Sequence, residues 1–173
     1  MRRLLLVVLV VLVAVAGLAA LVIALGSREN SQVTGAPSGP GELQPDRGAG
    51  HGAAAQVPAG ELPSSGPHGA DPVTRDRRRL TDDQILHALE LGNVVLLSDA
   101  PEPPRALVAV QEEVAGPFDA ELAAAGQAIV LARRDGAGPA TALAWRRVLR
   151  GDDPGDPRLR EFAETWLGEG VRP

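Results

Sequence analysis

Residues 79–99 read RLTDDQILHALELGNVVLLSD, and this stretch decides the fold. Thr81 and Gln84 have the spacing of a capping box, in which the hydroxyl takes one orphan backbone N–H and the glutamine reaches back to another. Leu80 before the cap and Ile85 one turn in can form a hydrophobic staple. Asp82 and Asp83 fall in the first turn, where the helix dipole favours negative charge. Gly92 stands where a helix end needs a left-handed residue. Val94-Val95-Leu96-Leu97 then makes a short apolar run, set off by Gly92 and Asn93, of the kind found in a strand covered on both faces. The stretch predicts a helix with His87 in its middle, running straight into a buried strand.

Downstream, Leu107, Val110 and Val114 recur at helical spacing, so 104–115 is expected to be an amphipathic helix ended by Gly116-Pro117. Residues 118–125 add a short helical turn anchored by Phe118. QAIVLAR at 127–133 reads as a second strand, and Asp135-Gly136-Ala137-Gly138 as a turn. Residues 141–147 alternate, with Thr141, Leu143 and Trp145 on one face, so 127–133 and 140–149 are expected to pair as a hairpin. Asp156 as N-cap and Pro157 at the first position start a last helix, whose apolar face is Leu159, Phe162, Ala163, Trp166 and Leu167. The order α-β-α-β-β-α predicts an α+β domain with a short three-stranded sheet packed by helices.

Composition narrows the chemistry. The 173 residues contain no cysteine, which excludes disulfides, thiolate metal sites and cysteine nucleophiles. A net charge of −5 argues against nucleic acid as partner. Aromatics make up only 2%, so the core must be largely aliphatic. No phosphate-binding glycine loop, dinucleotide fingerprint, metalloprotease helix or nucleophile elbow is present.

Residues 4–25 carry no charge and are almost wholly Leu, Val, Ala and Ile. About 22 residues at a rise of about 1.5 Å reach roughly 33 Å, enough to cross a bilayer, and longer than the roughly 7–15-residue core of a cleaved leader. Arg2 and Arg3 precede the segment and a lone Arg28 follows it. The expectation is an uncleaved anchor over 1–25 in a bacterial cytoplasmic membrane, with the N-terminus inside and the C-terminal domain extracytoplasmic. Residues 26–60 are rich in Gly, Pro and Ala without apolar periodicity, and are read as a disordered tether. The folded domain is then expected over 61–173. Arg75, Arg77, Arg78 and Arg79 precede the central helix as a solvated lead-in, which could also meet anionic headgroups.

LPSSGPH at 62–68, HALELGNV at 87–94, AWRRVL at 144–149 and DPRLREF at 156–162 resemble, in order and spacing, the recurrent pieces of a bacterial family of unknown function. Its members are typically tethered by one N-terminal membrane helix. The resemblance spans about residues 50–170. Its central piece has the form HxLEHGxV, with two histidines four apart on one helix face, which could chelate a transition metal. This chain has Leu91 at the second place. What remains is His87 with Glu90 three residues on, together with His68 and, through a looser match, His51.

Two function classes follow. One is non-enzymatic: a single-pass protein displaying a small domain that binds a protein or another envelope component, with no cofactor. The other is a metal-binding or metal-dependent redox domain that holds zinc, copper or another divalent ion with His68, His87 and Glu90, and His51 if the tether folds back. On that reading, a histidine at position 91 should tighten the site. In the first class His87 instead clamps the turn containing Ser65 and Gly66, bridging backbone groups through its imidazole, with Trp145 as a half-buried anchor. No catalytic constellation is legible, and an enzyme is the less favoured reading.

Overall fold

The computed structural model describes residues 38–171. From Gly39 onward they form one compact unit. The expected membrane anchor, and the tether up to residue 37, lie outside the described residues. Among the described residues no helix is long and apolar enough to cross a membrane.

The helix and strand read from 79–99 are present as α1 (Asp82–Leu91) and β3 (Val94–Ser98). The capping box is complete. Thr81 Oγ1 accepts from Gln84 N at 3.1 Å, and Thr81 N donates to Gln84 Oε1 at 3.2 Å. Gly92 closes the helix in the left-handed region, with φ of 111°. All five residues of β3 are buried. Helices α2 (Arg105–Val114), α3 (Ala120–Ala124) and α4 (Pro157–Trp166) follow where the periodicity places them.

The sheet departs from expectation. It has six strands, not three, in the order β1-β6-β5-β3-β4-β2. Besides β3 these are β1 (Glu42–Leu43), β2 (Arg78–Arg79), β4 (Ile129–Arg133), β5 (Ala140–Ala144) and β6 (Arg147–Gly151). The hairpin expected between 127–133 and 140–149 does not form. β4 pairs parallel with β3 on one side, and β5 pairs antiparallel with β3 on the other. The hairpin is β5–β6, turning at Trp145-Arg146. Arg146 has a φ of 59°. This turn carries no glycine or asparagine, the usual marks of a tight hairpin, so its sequence continues the alternation and hides the reversal.

β3 separates two apolar clusters. Val94 and Leu96 face Leu107 and Val110 of α2 and Leu159, Phe162 and Trp166 of α4. Val95 and Leu97 face Ile85, Ala88 and Leu89 of α1. Alternate β3 side chains thus enter opposite layers, as the period of a strand requires. α1 is anchored through its apolar face, which leaves its Asp83–His87–Glu90 face turned away from the sheet.

The expected tether over 26–60 is corrected for its second half, because residues from 39 pack on the domain. β1 extends the sheet along β6. Trp166 Nε1 donates to the Pro40 carbonyl at 2.9 Å. Further on, His68 N donates to Gly50 O at 3.1 Å, within an isolated parallel bridge between His51 and His68. This strap has few apolar side chains. Its backbone groups and small residues dock instead, and periodicity cannot reveal that.

Candidate metal centre

The chain has three histidines, and all three meet one carboxylate. His51 comes from the strap, His68 from the loop before β2, and His87 and Glu90 from α1. Glu90 Oε2 lies 2.7 Å from His51 Nε2, 3.2 Å from His68 Nε2 and 4.0 Å from His87 Nδ1. One ligand atom from each residue falls within 4.8 Å of the other three. A tetrahedral ion with bonds of about 2.0–2.1 Å needs its donors about 3.3–3.4 Å apart. Small side-chain movements therefore bring the four donors to that spacing.

Each position has a local cause. His87 and Glu90 are three residues apart on α1 and so share a face. The turn at β5–β6 supports the loop that carries His68, because Arg146 N donates to Ser64 O at 2.7 Å. The Trp145 ring lies tilted against His68, with centroids 6.3 Å apart. Ser65 fastens the strap: its hydroxyl donates to Pro45 O at 2.9 Å and accepts from Arg47 N at 3.2 Å.

Burial grades the four donors. The side chains of His68, His87, Glu90 and His51 are 0%, 14%, 17% and 46% exposed. The site is therefore closed from beneath and reached from the strap side. His68 Nδ1 is 2.9 Å from the Gly66 carbonyl. A carbonyl only accepts, so Nδ1 carries a proton, and in the neutral imidazole Nε2 then presents a lone pair. That lone pair is buried. It lies within charge-pairing distance of Glu90, yet off the line that a hydrogen bond requires, and so has no hydrogen-bond partner. His87 Nδ1 is likewise buried without a hydrogen bond. Burial first, then the neighbouring His51 and His68, holds the His87 imidazole below its ordinary pKa. It is therefore the neutral, ligating form at neutral pH.

The clamp expected of His87 is not seen: its Nδ1 makes no hydrogen bond to the 62–68 loop. Gly66 and Ser65 do hold that loop, through His68 Nδ1 and the strap. Leu91 is 38% exposed and borders a small hollow together with His87, Val73 and Asn93. Sequence reasoning passed over Asp83, one turn before His87. Its Oδ1 accepts from Gly69 N and from Ala55 N, both at 2.7 Å. The signal available was its i, i+4, i+7 spacing with His87 and Glu90.

A model of the family described as "Protein of unknown function (DUF3105)" matches residues 59–173. The match includes His68, His87 and Glu90 and stops short of His51. No curated protein and no solved structure matches the chain. The matched region is most of the chain, and the protein belongs to the DUF3105 family.

Proposed function

We propose that this domain binds a first-row divalent transition ion through His51, His68, His87 and Glu90. The observation that carries it is His68: a fully buried imidazole, its Nδ1 held by Gly66 O, with an unpartnered Nε2 3.2 Å from a carboxylate oxygen. Two acceptors 3.2 Å apart repel each other, and a cation between them removes the cost. The backbone carbonyl on the far ring nitrogen is the outer-shell partner that ligating histidines ordinarily have. Three imidazoles and one carboxylate form an N3O set, suited to Zn²⁺, Co²⁺, Cu²⁺ or Fe²⁺ and poorly suited to Mg²⁺ or Ca²⁺. The apolar segment 4–25 and the Arg2-Arg3 flank support the companion reading of a membrane-tethered domain that presents this site outside the cytoplasm.

The test is calorimetric titration of the metal-free full chain in detergent with Zn²⁺, beside His68→Ala. The expected result is one equivalent bound with micromolar or tighter affinity, lost in the variant. Absence of binding by the native chain, or equal binding by the variant, rejects the assignment.

A further inference from the structure

Resting on the metal reading, we infer that His51 is an exchangeable ligand, and that the position it fills admits an exogenous monodentate donor to the metal. The four donors are not equivalent. His68 is wholly buried and fixed at its far nitrogen by Gly66 O. His87 and Glu90 are mostly buried and lie on α1, whose two ends are capped and whose opposite face packs against the sheet. These three form a rigid set of two histidines and one carboxylate, a donor set that leaves coordination positions open to outside ligands.

His51 differs in exposure and in setting. Its side chain is about half exposed and, among the described residues, makes its one hydrogen bond to Glu90 Oε2, itself a ligand atom. No backbone carbonyl orients its other ring nitrogen among the described residues. Gly50 and Gly52 flank it, with φ of 128° and 115°, and nothing lies within 4 Å of where a Cβ would stand on either. A side-chain carbon would meet open space on both sides of His51, and glycine leaves such a conformation readily. The strap backbone is pinned beside His51, where Gly50 O accepts from His68 N, and farther out at Arg47 to Ser65 and at Ala55 to Asp83. His51 thus sits on a backbone that stays pinned while its half-exposed side chain can swing away from the site. When the imidazole swings away, the metal keeps three protein donors and presents its strap-side face to solvent.

The experiment uses the full chain in detergent loaded with Co²⁺, whose visible absorption reports coordination number and donor type. His51→Ala is expected to retain Co²⁺ with affinity weakened roughly 10- to 100-fold, a loss of the size that outer-shell changes cause. Its spectrum should shift, and added imidazole should return it to the native one. His87→Ala, which breaks the rigid set, should lose far more affinity and gain nothing from imidazole. Two outcomes overturn the inference: His51→Ala losing Co²⁺ as completely as His87→Ala with no recovery in imidazole, or a His51→Ala spectrum identical to the native one. Failure of the native chain to take up Co²⁺ is separate, because it rejects the metal reading itself and the inference with it.

Discussion

Asp83 Oδ1 accepts the backbone N–H of Gly69 at 2.7 Å, one residue beyond His68, and through the same oxygen it also holds Ala55, four residues beyond His51. One carboxylate on α1 thus ties down both chain segments that bring histidines to that helix. Asp83→Ala leaves two N–H groups without their acceptor and is expected to lower stability by about 1–3 kcal/mol. It should also weaken metal binding, since the segments carrying His51 and His68 lose their common anchor. Urea unfolding and Zn²⁺ titration of the variant check both effects.

The same carboxylate gives a pH signature. The Gly69 N–H first, then the Ala55 N–H, with a smaller contribution from His68, holds it below the ordinary carboxylate value of 3.8, against the opposing effect of burial. A depressed folded pKa contributes stability that is fully present above 3.8 and is lost as pH falls through the folded value. The stability gap between the native chain and Asp83→Ala should therefore be constant from pH 7 down to about 5 and close progressively below about 4. A gap that persists unchanged to pH 2.5 contradicts this origin.

Removing the strap should damage the site. A chain beginning at residue 57 keeps the whole family-matched region but lacks β1 and His51. It also uncovers Trp166, whose indole N–H loses the Pro40 carbonyl. The expected outcome is a lower melting temperature and a Zn²⁺ affinity at least tenfold weaker than that of the full chain, by scanning and titration calorimetry.

Position 91 is expected to matter less than the family pattern implies. The four donors assemble without it, and Leu91 is 38% exposed at the end of α1. Leu91→His should change Zn²⁺ affinity by less than about tenfold, while His68→Ala abolishes binding. A large gain from Leu91→His would show that the assembled set is incomplete.

Phe162 is fully buried among Trp166, Leu107 and β-sheet residues, so Phe162→Ala should cost about 3–5 kcal/mol. The site lies on the opposite side of the sheet. In the variant that remains folded at low temperature, Zn²⁺ affinity should be close to native. A parallel loss of affinity would mean that the two layers are coupled through β3.

The sequence by itself determined the parts whose causes are local. Thr81 and Gln84 cap α1, Gly92 ends it, and the runs at 94–97 and 127–133 make strands, because caps and side-chain periods act within a few residues. The three-residue spacing of His87 and Glu90 put both on one helix face by the same logic. The tertiary structure alone decided the rest. β4 and β5 both have the composition of a partner for β3, and only packing of the whole sheet assigns one to each edge. The strap around His51 is glycine, proline and alanine with no period to read. Its place is set by hydrogen bonds to the Gly50 and Pro40 carbonyls, from the His68 backbone N–H and the Trp166 indole N–H, and by the Asp83 carboxylate, contacts between residues far apart in the chain. A His/Glu cluster drawn from three segments is therefore visible in the sequence as residue types, and is assembled only when the fold brings those segments together.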